Sequence, residues 1–127
     1  MPAPVVHFEI IGTDPGSLRA FYRDLFGWDG ETSPTSDLIS DAGQYVFINP
    51  IAVPGGNGIA GGIGGGPERA PKLLFYVAVP DVEDALVNAE RLGGKRYIGP
   101  SANPNGKIVI GQFSDPEGNL VGVAGPR

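Results

Sequence analysis

The sequence predicts an α+β domain: two βαβββ repeats forming a cup-shaped mixed sheet, with helices on the outer face. Three observations predict it. Two helix-capping aspartates, Asp14 and Asp81, lie 67 positions apart, and the same shift carries Leu25 to Leu92 and Gly27 to Gly94. Each aspartate follows a strand pattern and opens a helical one, and three strand signals come after each helix. Each half would cover one sheet face with its helix, and pairing the half-sheets around a shared cavity would cover the other. The 127 residues suit one such domain, with repeats over 4–66 and 72–125.

Composition narrows the function. The chain has no cysteine, so disulfides, thiolate metal sites and cysteine nucleophiles are excluded. A net charge of −5 argues against nucleic acid, whose phosphates call for a basic surface. It mildly favours a cationic or neutral small ligand, although acidity also serves solubility alone. No apolar run approaches a membrane span. The start, Met1-Pro2-Ala3-Pro4, lacks the regions of a signal peptide, and a cytoplasmic protein is expected.

The elements follow in order. Val5 to Ile11 reads as a strand. Asp14 caps the next helix and Pro15 suits its first position. Leu18, Phe21, Tyr22 and Leu25 give that helix an apolar face, and Gly27 stops it before Trp28. Asp29 to Ser36 reads as a polar loop. Asp37–Ser40 and Tyr45–Asn49 read as a hairpin across the turn Asp41-Ala42-Gly43-Gln44. Gly56, Gly58 and Gly61 match GxGxxG, but Pro54 precedes them and no helix follows, so a bent glycine-rich strand over Gly58–Gly64 is expected instead of a dinucleotide loop. Lys72–Val79 is a strand. Asp81 and Asp84 open the second helix, whose apolar face is Val82, Ala85, Leu86, Ala89 and Leu92, and Gly93-Gly94 ends it. Arg96–Ile98, Lys107–Phe113 and Leu120–Ala124 are strands, with a loop over Gly99–Gly106 and a tight turn at Asp115-Pro116-Glu117-Gly118-Asn119. That turn is hairpin chemistry and not a calcium loop. Ser17, Ser33 and Ser114 have no second histidine or elbow motif to activate them.

The first strand holds the functional signal. His7 is the single histidine of the chain, and Glu9 interrupts an apolar run two residues on. Strand alternation points both to one face, with Phe8 and Ile10 on the other. The 67-residue shift puts Leu74 and Tyr76 at the equivalent positions of the second half. A carboxylate beside a neutral imidazole in an apolar cavity can exchange a proton with it, and Tyr76 would add a hydroxyl. His7, Glu9 and Tyr76 are therefore the acid–base candidates. Set against this is a purely structural pair, hydrogen-bonded to itself or to backbone. Trp28, Tyr45 and Phe47 are aromatic candidates for lining the cavity along with Leu74.

Taken together, these pieces resemble the vicinal oxygen chelate superfamily, the glyoxalase, bleomycin-resistance and extradiol-dioxygenase proteins. The likeness is carried by Val6-His7-Phe8-Glu9-Ile10 with Thr13-Asp14-Pro15, by Phe21-Tyr22 through Leu25-Phe26-Gly27-Trp28, and by Tyr76-Val77-Ala78-Val79-Pro80-Asp81-Val82. Ala89-Glu90-Arg91-Leu92-Gly93-Gly94 and Asp115-Pro116-Glu117-Gly118-Asn119 complete it. The resemblance implies one divalent ion held by histidines and a glutamate on the first and last strands of the halves. Only His7 matches such a position. Leu74 stands at its counterpart, Gly122 where a glutamate is usual, and the strand near Ala60–Gly62 offers no carboxylate. A divalent metal is accordingly disfavoured and no cofactor is expected. The resemblance leaves three roles open. One is a small-molecule-binding, bleomycin-resistance-like protein with a metal-free cavity, expected to be a homodimer. The second is a metal-independent lyase, isomerase or hydrolase using His7 and Glu9. The third is a metal-dependent glyoxalase- or dioxygenase-type enzyme with a non-standard site.

Overall fold

The computed structural model describes residues 2–104 and 106–127. The elements run β1 (Val5–Gly12), α1 (Pro15–Phe26), β2 (Glu31–Thr32), β3 (Val46–Ile48), β4 (Ala52–Val53), β5 (Gly56–Asn57), β6 (Ala60–Gly65), β7 (Lys72–Ala78), α2 (Val82–Arg91), β8 (Lys95–Ala102), β9 (Ile108–Ser114) and β10 (Leu120–Pro126). This is the α+β class that the duplicated caps predict. Two compact units divide the chain: His7–Leu73, and Leu74–Arg127 with the residues before His7.

In the N-terminal unit the strands stand in the order β2-β3-β6-β1. β1 and β6 run parallel, with His7 opposite Ala60 and Glu9 opposite Gly62. β3 is antiparallel to both neighbours, pairing Phe47 with Gly62 and with Glu31. In the C-terminal unit the order is β7-β10-β9-β8. There β10 is parallel to β7 and antiparallel to β9, and Gly122 lies opposite both Tyr76 and Gln112. The two units thus share one topology, a parallel pair extended by antiparallel strands.

Both helices start as the sequence dictates. An Asp14 Oδ1 accepts from Ser17 N at 3.1 Å, and Asp81 Oδ1 accepts from Asp84 N at 2.9 Å. Gly27, at φ 73°, ends α1 in the left-handed conformation that glycine adopts without strain. Of the four apolar residues expected to face the core from α1, Leu18 and Tyr22 pack on Ile10, Ile48 and Ile63. Phe21 and Leu25 are more than half exposed. In α2, Val82 and Leu86 are buried on Val123, while Leu92 at the helix end is exposed. No helix among the described residues is long and apolar enough to cross a membrane.

Three local expectations are corrected. Residues 37–40 form a turn and not a strand, because Ser36 binds it: its carbonyl accepts from Ile39 and Ser40 N, and its Oγ from Leu38 N. The hairpin partner of β3 is β2, inside the stretch read as loop. The glycine-rich strand expected over Gly58–Gly64 is present as β6, Ala60–Gly65, with the small hairpin β4–β5 just ahead of it. Finally, β8 extends to Ala102 through two irregularities in its pairing with β9, into the expected loop.

β6 needs its glycines for contact. A Cβ on Gly61 would sit 2.1 Å from the Phe8 ring, whereas one on Gly56 in the exposed hairpin would meet nothing within 4 Å. Gly61→Ala should therefore lower the unfolding free energy by about 1–3 kcal/mol through overpacking. Gly56→Ala should stay within about 0.5 kcal/mol of the parent. Urea denaturation of both variants checks the contrast, and equal effects would contradict it.

Candidate functional site

Glu9 is the key to the site. Its side chain leaves β1 on the face away from α1 and is 1% exposed. A carboxylate so placed needs hydrogen-bond donors. Tyr45, just ahead of β3, supplies one: its hydroxyl donates to Glu9 Oε1 at 2.9 Å. The same hydroxyl lies 2.8 Å from His7 Nε2. With the Tyr45 proton committed to Glu9, the His7 Nε2–H is the donor of that second bond. The imidazole is thereby held in the Nε2–H tautomer, and the three side chains form one donor-to-acceptor series from His7 through Tyr45 to Glu9.

Glycine makes this geometry possible. Gly62 lies opposite Glu9 in the register, and a Cβ there would sit 1.9 Å from the Tyr45 hydroxyl. A Cβ on Gly64 would meet the same ring at 2.7 Å. The Tyr45 ring thus lies across bare backbone and reaches the carboxylate two strands away. Phe47 completes the face: its ring is 5.8 Å from the His7 ring, at an interplanar angle of 22°. Glu9 and Tyr45 are buried, while His7 and Phe47 are half-buried. Desolvation lowers the His7 pKa from its ordinary 6.5 to about 4, so the ring is neutral at pH 7.

The sequence candidates fall into three places. His7, Glu9, Tyr45 and Phe47 come together on this face of the N-terminal unit. Trp28 does not join them. It packs on Phe8, Tyr22 and Phe26 at ring separations of 5.1, 5.4 and 5.0 Å. Phe8 alternates with His7 and Glu9, so Trp28 belongs to the layer between sheet and α1. The left-handed turn at Gly27 folds it back there, which corrects the expectation that it lines the cavity. Leu74 and Tyr76 lie in the C-terminal unit and are buried. The Tyr76 hydroxyl accepts from Gln112 Nε2 at 2.7 Å, and the Tyr76 ring lies over Gly122, where a Cβ would be 2.4 Å from it.

Gln112 was not singled out in the sequence, nor were the glycines under the two tyrosine rings. A signal for Gln112 existed: the 67-residue shift that pairs Glu9 with Tyr76 also pairs Tyr45 with Gln112. Each half thus joins a tyrosine to a buried polar side chain across a glycine strand.

The donors for a divalent ion do not fit. The chain has one histidine and no cysteine. Its Nε2 is directed at Tyr45, and Glu9 already accepts from the same hydroxyl. Leu74 has no donor atom, and the space above Gly122 is filled by the Tyr76 ring. Among the described residues no group of three or more His, Asp or Glu side chains stands together as a ligand set.

Comparison with known proteins agrees with this fold. A family model described as a glyoxalase-like domain matches residues 7–124. A glyoxylase-like domain-containing protein of Didymella fabae is 28% identical over 116 residues, covering 87% of this chain and 84% of that protein. Among solved structures, a variant of Streptomyces coelicolor methylmalonyl-CoA epimerase in complex with 2-nitronate-propionyl-CoA is similar at a TM-score of 0.62 and 16% identity. The match covers 99% of this chain and 96% of that one. A glyoxalase/bleomycin resistance protein/dioxygenase superfamily member from Vibrio splendidus 12B01 is similar at 0.54 and 15%, covering 98% and 99%. At these identities the structural likenesses concern the fold.

The buried imidazole sets a pH dependence. Between pH 6.5 and about 4 the unfolded chain binds a proton at His7 that the folded chain refuses. Stability from this group is therefore full above pH 6.5, is lost as pH falls through that window, and changes no further below about 4. The slope is at most about 1.4 kcal/mol per pH unit, less to the extent that solvent reaches the half-buried ring. His7→Gln should flatten the fall in stability between pH 7 and 4.5, as read by urea denaturation at each pH. Identical profiles for the two proteins would contradict the assignment.

Proposed function

The chain belongs to the glyoxalase-like domain family, and from that premise we propose that it binds a small organic molecule on the sheet face carrying His7 and Phe47, without a metal ion. The observation that carries this reading is the series His7–Tyr45–Glu9. Its buried end is hydrogen-bonded internally, and its half-exposed end presents a neutral, oriented imidazole beside an aromatic ring. A fixed polar group next to a flat apolar one is the usual composition of a small-molecule site. Rigid support from Tyr45 and Glu9 lowers the ordering cost of binding there. The acyl-CoA ligand of the structurally similar epimerase is large and anionic. A chain of net charge −5 with a neutral imidazole at its site is a poor match to it, and a neutral or cationic ligand is the better one.

A second reading, acid–base catalysis, is favoured by the direction of the same hydrogen bonds. A substrate proton taken at His7 Nδ1 is balanced when Nε2–H passes to the Tyr45 oxygen and the Tyr45 proton passes to Glu9. The imidazole ends neutral with its tautomer exchanged, and the buried carboxylate ends as an acid. Such a relay suits proton abstraction beside a carbonyl, in an isomerase or lyase.

The two readings separate on one pair of variants. A fragment library is screened by NMR for molecules that shift the His7 ring resonances. Tyr45→Phe should weaken those ligands by about 3–10-fold, the worth of one hydrogen bond holding the ring. Ligands that bind without moving His7 would contradict the site. For any substrate the screen reveals, Glu9→Gln should lower kcat by about 100-fold or more if the relay operates, with binding nearly unchanged. Turnover unaffected by Glu9→Gln would remove the catalytic reading and leave the binding one.

A further inference from the structure

We propose that Glu31 is a specificity-determining carboxylate of this site, selecting an organic monocation whose charged group sits in the cavity beside Phe47. The proposal rests on the binding reading and adds the class of ligand. The stretch 29–36 reads in sequence as plain polar loop, but the structure makes Glu31 and Thr32 an edge strand. Glu31 then lies directly opposite Phe47. Cross-strand partners share a face, so the row runs Glu31, Phe47, Gly62, Glu9, with His7 stacked on Phe47. One cavity of about 580 Å³ opens along this edge, lined among others by Asp29, Glu31, Thr32, Ser33, Phe47 and Asn49.

The charges in that cavity leave one negative site. Asp29 is neutralised by Arg19, whose guanidinium lies 3.0 Å away, and it also accepts from Gly30 N at 2.8 Å. Glu31 meets no cation and no hydrogen-bond donor among the described residues, and its side chain is exposed. A cation placed between the Glu31 carboxylate and the Phe47 face gains from both. Thr32, Ser33 and Asn49 offer acceptors to an N–H. The neighbouring imidazole, being uncharged at pH 7, does not repel such a ligand, and an apolar body can lie on Phe47 and His7. An ammonium on a short arm from a planar body therefore fits the row. A carboxylate or phosphate would face Glu31 unscreened.

The test uses three probes of one shape: phenethylammonium, 2-phenylethanol and phenylacetate, each titrated at pH 7 and followed by the ring resonances of His7 and Phe47. The ammonium should bind at least about 5-fold tighter than the alcohol, and added salt should shrink the ratio. Glu31→Gln should bring the ratio near one, and Glu31→Lys should turn the preference toward phenylacetate. Glu31 is exposed, so neither change threatens the fold, and unchanged amide spectra elsewhere will report that. Equal binding of ammonium and alcohol by the parent, or a ratio unmoved in Glu31→Gln, overturns the charge selection while the His7–Phe47 site stands. No shift of either ring by any probe at about 1–10 mM, where weak fragments register, overturns both.

Discussion

The N-terminal half is arranged around a single constraint, a carboxylate buried to 1% exposure on the first strand. Removing such a group from water costs several kcal/mol unless donors replace the lost hydration. Tyr45 supplies one donor, and placing its hydroxyl at Glu9 dictates the rest. The ring must cross β6, so β6 must be glycine where the ring passes, at Gly62 and Gly64. β3 must then begin at Val46, which sets Phe47 beside His7 and opposite Glu31. Ser40, also buried, ties the turn before Tyr45 to β6 by accepting from Gly65 N at 2.9 Å. These contacts account for Gly62 and Gly64 in the glycine-rich stretch, whereas Gly61 makes room for the Phe8 ring on the other face and a Cβ on Gly56 would meet nothing within 4 Å.

The C-terminal half solves a similar problem with different chemistry. Tyr76 takes the place of Glu9, Gln112 that of Tyr45, and Gly122 passes beneath the ring. The Tyr76 ring fills the space above Gly122, and neither Leu74 nor Gly122 carries a donor atom in its side chain. In the N-terminal half the imidazole is turned to Tyr45, and desolvation keeps it neutral.

Much of this was legible in the residues. The capping aspartates and the 67-residue shift fixed both helices and the shared topology, because caps and periodic apolar residues act locally. His7 and Glu9 fell on one face by alternation alone. What escaped was set by tertiary contact. Trp28 looked like a lining residue until the left-handed Gly27 turned it under α1. Residues 37–40 looked extended until the Ser36 hydrogen bonds made them a turn. Glu31 looked like loop because a two-residue edge strand has no period to read. Gln112 lay in an apolar strand with nothing local to mark it, and only comparison of the halves points to it.

The site depends on the state of one imidazole, and the chain's single histidine makes that state directly measurable. Nitrogen-15 NMR of the His7 ring across pH 4–8, with and without zinc, reports its tautomer, its titration and any metal bond together. The expected result is the Nε2–H tautomer throughout pH 5–8, protonation only near pH 4, no change on adding zinc, and loss of the tautomer preference in Tyr45→Phe. A ring that titrates near pH 6.5, or whose nitrogen resonances move on adding zinc, would contradict it and return the site to metal chemistry.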